Sequence, residues 1–286
     1  MKLLNRKSKH FLSDWMGSKV WDIHPNAPCF YKPIQLGKRP IVIVNYPYLK
    51  NCQKNILKVL QNEFPPDYLH SPAKGKSNIT NATVHRFSKD LWTLDISSFF
   101  SNVTETKVFG FFYNYFKLSP EIATALTNLT TYPCFKAKQT EKVLPQGTCT
   151  SPYLAFWCNK QMFDFIDTLC KEQNCIFTLY VDDITISGEK VPKTLIHKIR
   201  SILNKNGYRL GERKDKNGEE IGLRKIRRYG QDKDKSVTGV IIKKNGEMIA
   251  IPKVYQKLKK SKKEGEINRV KGTRNYLSQI NKAVSR

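Results

Sequence analysis

The stretch Phe177-Thr178-Leu179-Tyr180-Val181-Asp182-Asp183-Ile184-Thr185-Ile186-Ser187 sets two adjacent carboxylates between two short runs of alternating apolar residues. Side chains on a strand alternate faces, so consecutive aspartates diverge unless they sit at a tight turn. The pattern predicts a hairpin whose Asp-rich tip presents both acids. Two like charges about 4 Å apart repel by roughly 4 kcal/mol at an effective dielectric of about 20, a cost that fold stability alone gives no reason to carry. A divalent cation removes that repulsion. Aspartate as a plain turn former is the competing reading.

Two further segments bear on the choice. Leu91-Trp92-Thr93-Leu94-Asp95-Ile96-Ser97-Ser98-Phe99-Phe100 reads as an apolar strand that carries a lone acid. An isolated carboxylate is costly to bury, so Asp95 calls for a cation, either a metal ion or a core Lys or Arg. Leu144-Pro145-Gln146-Gly147-Thr148-Cys149-Thr150-Ser151-Pro152 reads as a Gly-containing loop that enters the apolar helix begun by Tyr153-Leu154-Ala155-Phe156-Trp157.

In order and spacing the three blocks resemble the reverse transcriptases, whose pattern runs LDIxxFF, LPQGxxxSP and YVDD. The resemblance implies an α+β, right-hand polymerase fold with fingers, a palm built on an antiparallel sheet, and a short helical thumb. It also implies that Asp95, Asp182 and Asp183 form one cluster holding two Mg2+ ions, for which Mn2+ can substitute. Magnesium takes octahedral oxygen ligands and keeps several waters, so three carboxylates suffice for two ions once substrate phosphates are present. With the ions about 3.5 to 4 Å apart, one activates the primer hydroxyl and the other steadies the leaving pyrophosphate.

Nucleotide recognition follows from the same resemblance. Phe100 matches the bulky residue beneath the incoming sugar, where a ring excludes a ribose 2′-hydroxyl; core packing is the other role open to it. Gln146 matches the residue lying along the incoming dNTP, and Gly147 permits close backbone approach. Lys38 and Arg39, just before Ile41-Val42-Ile43-Val44, match residues that clamp the triphosphate. Asn206-Gly207-Tyr208-Arg209-Leu210-Gly211-Glu212-Arg213-Lys214 matches a Gly turn leading to a lysine, so Lys214 is a candidate general acid toward pyrophosphate, with a solvated surface lysine as the alternative.

Two shorter strings narrow the resemblance to retron reverse transcriptases: Asn81-Ala82-Thr83-Val84-His85 matches their NAxxH signature and Val237-Thr238-Gly239 their VTG signature. This implies a cognate structured noncoding RNA as template and partner, priming from an internal guanosine 2′-hydroxyl, and a branched RNA-DNA product. An accessory effector protein and a role in antiphage defence come with it. On a helix Asn81 and His85 share a face and can jointly bind a backbone or a phosphate; a satisfied structural histidine is the alternative. Val237 to Ile242, Asn245-Gly246 and Met248 to Ile251 predict a hairpin that, by the resemblance, grips the primer end. Gly239 either thins a strand where nucleic acid passes or marks a β-bulge.

Composition points to a polyanionic partner: 50 Lys and Arg against 24 Asp and Glu leave a formal charge of +26. Basic density peaks at Arg213 to Lys235 and Lys253 to Lys271. Lys253, Lys257, Arg269, Lys271 and Arg274, with Tyr229, Tyr255 and Tyr276 interleaved, are therefore candidate nucleic-acid contacts, although solvated lysine-rich helices look alike. The 286 residues suit one polymerase unit: fingers over 1–89, the palm strand with the first catalytic Asp over 90–100, an insertion over 101–140, palm over 141–251 and basic thumb over 252–286. No appended nuclease-like or protease-like region is expected. The charged 215–235 segment, with its Asn217-Gly218, predicts an extra hairpin or loop.

Seven cysteines without CxxC spacing indicate neither a zinc site nor a disulfide framework and fit a cytoplasmic protein. No run is long and apolar enough for a signal peptide or a membrane span, so no membrane partner is expected. The rival readings are a group II intron-like or diversity-generating reverse transcriptase, an RNA-making polymerase, which Phe100 disfavours, and an inactive RNA-binding scaffold, against which the intact aspartates and Gln146 count.

Overall fold

The computed structural model describes residues 9–36, 39–133, 141–211, 213–214, 220–222 and 226–284. It is a mixed helix and sheet structure of two compact units, 1–64 with 98–160, and 65–97 with 161–286. These borders depart from the expected subdomain limits. Residues 65–89 group with the strand carrying Asp95, residues 141–160 group with the N-terminal part, and residues 252–286 join the second unit. The reason is packing: the helix Asn78–Val84 buries Ile79 and Ala82 against Val237, Val240, Ile242 and Ile280, which ties the expected fingers segment to the C-terminal elements.

In the first unit the helix Pro47–Leu60 starts on a proline, whose missing N–H costs nothing there, and buries Leu49, Cys52, Gln53, Ile56 and Leu60 at helical spacing. Gln53 is polar but satisfied: its Nε2 donates to Tyr31 Oη at 2.7 Å and to the Leu129 carbonyl at 3.0 Å, while the Tyr31 hydroxyl donates to the same carbonyl at 2.8 Å. Strands Tyr31–Leu36 and Arg39–Val44 pair as an antiparallel hairpin. The Pro145-Gln146-Gly147 loop lies along it, with Val42 N–H donating to the Gln146 carbonyl at 2.7 Å.

The second unit is built on a six-stranded sheet. Strand Asp90–Ser97 pairs antiparallel with Asp183–Gly188 on one side and with Arg227–Tyr229 and Arg209–Leu210 on the other. Ile176–Tyr180 follows as the antiparallel partner of Asp183–Gly188, and the short Leu69–Ser71 runs parallel at the far edge. Leu91 and Leu94 of the first strand, Ile184 and Ile186 of the second, and Phe177 and Leu179 of the third are all buried. The amphipathic helix Lys193–Lys205 buries Leu195, Ile196, Ile199 and Leu203 at helical spacing.

Strands Lys235–Val237, Val240–Ile242 and Met248–Ala250 form a separate antiparallel sheet that packs with the helices Asn78–Val84 and Ile267–Val284. Here one expectation is corrected. Val237 to Ile242 is not a single strand, because Thr238 and Gly239 have φ of +43° and +88° and turn the chain back between the paired Val237 and Val240. Positive φ at both central residues is the type I′ turn, so Gly239 serves a turn and neither a thinned strand nor a bulge. Arg213–Lys214 pairs antiparallel with Glu220–Gly222, and the Asn217-Gly218 turn expected for the charged segment lies outside the described residues.

Candidate active site

Val181 and Asp182 are the two-residue turn between strands Ile176–Tyr180 and Asp183–Gly188, and Tyr180 pairs with Asp183 across it. The expected Asp-rich hairpin is therefore observed, with Asp182 in the turn and Asp183 opening the return strand. Val181 has a φ of +58°, at the first central position where glycine is usual. A β-branched residue held there stores about 1 to 3 kcal/mol of backbone strain. Its N–H donates to the Ser71 carbonyl at 2.9 Å, which fastens the tip to the edge strand.

Asp95 and Asp183 are register partners. Ile96 N–H donates to the Asp182 carbonyl at 3.0 Å, so Ile96 and Asp182 form the hydrogen-bonded pair. That makes Asp95 and Asp183 the neighbouring non-hydrogen-bonded pair, in which facing side chains lie closest. Like charges directly opposite one another destabilise a sheet unless a cation lies between or beside them. Both side chains are half-buried and line one cleft of about 170 Å³ with Thr93, Thr185, Arg227 and Thr238.

The donor chemistry of this pair fits a hard divalent cation: two carboxylates open to one cleft, with the rest of an octahedral shell available to water and phosphate. Asp182 is half-buried in the turn and does not line that cleft. Among the described residues no group of three or more His, Cys, Asp or Glu side chains is gathered as a ready metal site.

The remaining predicted residues separate clearly. Phe100 is half-buried beside the fully packed Phe99, their ring centroids 5.9 Å apart. Gln146 is exposed. Gly147 has a φ of +123°, and a Cβ there would stand 2.8 Å from the Val42 carbonyl oxygen, so its close backbone approach is to the chain's own strand. Lys38 and the side chains of Arg39 and Lys214 lie outside the described residues. Lys253, Lys257, Lys271 and Arg274 are exposed on the last two helices, and Arg269 is exposed but pairs with Glu266.

The two signature strings meet, and this corrects their expected role. Asn81, His85 and Val237 are fully buried, so their side chains hold the fold and do not touch a nucleic acid. His85 sits between two hydroxyls, Nδ1 to Ser187 Oγ at 2.6 Å and Nε2 to Thr178 Oγ1 at 2.7 Å, and burial pushes its pKa down to about 3. It is the satisfied structural histidine. Asn81 Nδ2 donates to Thr238 Oγ1 at 3.2 Å, and Asn78 Nδ2 donates both to the Thr238 carbonyl at 3.1 Å and to Tyr276 Oη at 2.8 Å. NAxxH thus anchors the VTG turn, which places Thr238 in the cleft of the two aspartates.

Other cleft residues escaped the sequence reading. Thr93 and Thr185 were recoverable, because each lies two positions from an aspartate and shares its strand face. Arg227 was not, since it reaches the cleft only through its pairing opposite Thr93. Its neighbour Arg228 is committed elsewhere in the dense basic stretch, to a bidentate pair with Asp90 at 2.9 Å for both bonds.

Comparison with known proteins completes the site. The family described as reverse transcriptase (RNA-dependent DNA polymerase) matches residues 32–238. Similar curated proteins include the retron Se72 reverse transcriptase of Salmonella heidelberg, 32% identical over 50% of this chain and 36% of its own length. The retron Ec83 reverse transcriptase of Escherichia coli is 28% identical over 62% of each chain, and the retron Ec86 reverse transcriptase of Escherichia coli 32% identical over 46% of this chain and 37% of its own. The matched stretch thus spans about a third to three fifths of these relatives. With Asp95, Gln146 and the Asp182-Asp183 turn inside the matched range, the chain belongs to the reverse transcriptase (RNA-dependent DNA polymerase) family.

Proposed function

We propose that this protein is a retron-type RNA-directed DNA polymerase that copies part of a cognate structured noncoding RNA into single-stranded DNA. The observation that carries this reading is the facing of Asp95 and Asp183 in one cleft beside the Asp182 turn, which sets two carboxylates where a hard divalent cation and phosphate can meet them. Retron relatives and the interlocked Asn81 and Thr238 support the narrower assignment.

In this reading Asp95 and Asp183, with Asp182 of the adjoining turn, would hold two Mg2+ ions, or Mn2+ in their place. The bound ions supply Lewis-acid stabilisation of the reacting hydroxyl and the leaving pyrophosphate. Phe100 excludes a ribose from the nucleotide site, Gln146 lies along the dNTP, and Lys38 and Arg39 steady the triphosphate. Lys214 passes a proton to pyrophosphate. Thr238, on its anchored turn, abuts the primer end, and Lys253, Lys257, Lys271 and Arg274 hold the nucleic-acid backbone.

Attack needs only a hydroxyl held in line with the α-phosphate, so an RNA 2′-hydroxyl serves as primer once the RNA fold delivers it. The product is then a branched RNA-DNA hybrid, which acts with an effector protein in antiphage defence. Purified protein given a primed RNA template, dNTPs and Mg2+ extends the primer, and chelation of the metal stops it. Binding of the template without any extension, at any divalent ion tried, leaves the scaffold reading standing.

A further inference from the structure

Thr238 reaches the Asp95 and Asp183 cleft from a turn that its own side chain disfavours. A β-branched residue at a φ of +43° crowds its backbone, and such a residue persists only where its surroundings over-determine it. The flanking strands fix only the ends of the turn, through the pairing of Val237 with Val240. Its middle is held from outside, by the helix Asn78–Val84.

That helix opens on a capping box: Thr80 N–H donates to Ser77 Oγ at 3.3 Å and Ser77 N–H to Thr80 Oγ1 at 2.9 Å, which fixes the backbone of Asn78 in the first turn. A carbonyl can only accept, so the part of the Asn78 amide that lies 3.1 Å from the Thr238 carbonyl is its nitrogen. That nitrogen carries two protons. One goes to Thr238, and the other to the Tyr276 hydroxyl oxygen at 2.8 Å, which therefore accepts. With both protons committed, the plane of the amide is set, and Tyr276 decides how the remaining N–H is aimed at Thr238. Tyr276 is half-buried on the helix Ile267–Val284 and packs on the cluster of Val237, Val240 and Ile242. Burial raises its pKa, and Tyr180 of the Asp-tipped hairpin is near enough to add to the shift, so the hydroxyl stays un-ionised beside the catalytic turn.

We propose that Asn78 and Tyr276 are positioning residues for nucleotide addition, which set the strained Thr238 turn at the cleft and act through it. The inference rests on the reading of Asp95, Asp182 and Asp183 as the site of that reaction and of Thr238 as the residue abutting the primer end. The C-terminal helix then supports the cleft as well as offering its basic face to nucleic acid. Tyr276, which the sequence offers as a base-stacking residue, does this work through its oxygen, which stacking does not need.

The test uses the full-length protein. Tyr276→Phe keeps the ring and deletes only the acceptor, whereas Asn78→Ala deletes both donors. Single-turnover extension of a saturating primed RNA template is expected to slow about tenfold in Tyr276→Phe, with KM for dNTP and Kd for the template within about twofold of the wild type, because a misplaced primer end lowers the rate and not the affinity. In the Asn78→Ala background Tyr276→Phe costs nothing further, since its effect passes through that amide. Fluorescence of a 2-aminopurine at the primer 3′ end, read without metal or dNTP, shows looser seating in both variants. An unchanged rate in Tyr276→Phe overturns the proposal, and so does an equal loss in both backgrounds. A loss of template affinity that accounts for the slowing also overturns it and makes Tyr276 a stacking residue. Should Asn78→Ala fail to fold by circular dichroism, the rate and fluorescence of Tyr276→Phe alone decide. The wild type separates the two readings: if it extends the primer and Tyr276→Phe matches it, only this inference fails, whereas a wild type that extends no primer refutes the polymerase reading and this inference with it.

Discussion

At the scale of single residues the structure assigns different work to groups that look equally functional in sequence. Asp95 and Asp183 face one another across the sheet and open to one cleft, with Asp182 in the adjoining turn, whereas His85 is enclosed by its own hydroxyl partners. Asp182→Asn is therefore expected to fold as the wild type by circular dichroism and to lose nucleotide addition by roughly two orders of magnitude or more, since a metal-held transition state is worth several kcal/mol. Phe100→Val is expected to raise ribonucleotide incorporation in the same primer-extension assay, and no rise would assign Phe100 to packing. For His85 the prediction concerns stability against pH. Its folded pKa of about 3 lies below the unfolded 6.5, so only the unfolded chain takes up the proton between those values. Stability is full above pH 6.5 and falls below it by about 1.4 kcal/mol per pH unit from this group. Chemical denaturation at pH 6.5 and 4.5 reads the slope, which His85→Gln should flatten.

At the scale of elements, strand type and pairing were legible where the pattern was local. The Asp-tipped hairpin follows from alternation on either side of Asp182 and Asp183, and Thr93 and Thr185 follow from the same period. What escaped were conformations set by partners far along the chain. Thr238 and Gly239 read as strand because Val237, Val240 and Ile242 are β-prone, but Asn78 and Asn81, more than 150 residues away, hold them in a turn. Burial of Asn81 and His85 was equally unreadable, since polar residues at helical spacing suit a core and a ligand alike. Gly147 shows a correct signal with an unforeseen partner: the close approach is to Val42. Gly147→Ala places a methyl 2.8 Å from that carbonyl at a φ of +123°, so the loop must shift. We expect about 1 to 3 kcal/mol of lost stability, read as a lowered Tm, together with a raised KM for dNTP. An unchanged Tm and KM would show that the Gln146 loop has no fixed seat on its strand.

At the scale of the whole molecule, the chain carries a formal charge of +26 and exposes Lys253, Lys257, Lys271 and Arg274 on its last two helices, so backbone contacts should dominate affinity. With about six phosphates neutralised, RNA binding is expected to fall roughly a thousandfold between 50 and 200 mM salt, as equilibrium titration would show. A nearly flat dependence would mean that the charge serves something other than a polyanion. The two packed units do not reproduce the proposed subdomains one for one: the unit 65–97 with 161–286 carries the Asp95 strand, the Asp182-Asp183 hairpin and the basic C-terminal helices together with residues 65–89 expected in the fingers, and the unit 1–64 with 98–160 includes the Pro145-Gln146-Gly147 loop expected in the palm. No helix among the described residues is long and apolar enough to cross a membrane. The most direct test isolates the protein with its bound nucleic acid from its host and treats that material with a 2′,5′-debranching enzyme. The account predicts DNA joined to RNA that the enzyme separates, present with the wild type and missing with Asp182→Asn. Linear DNA alone would contradict the retron assignment, and the same DNA from Asp182→Asn would contradict the active site.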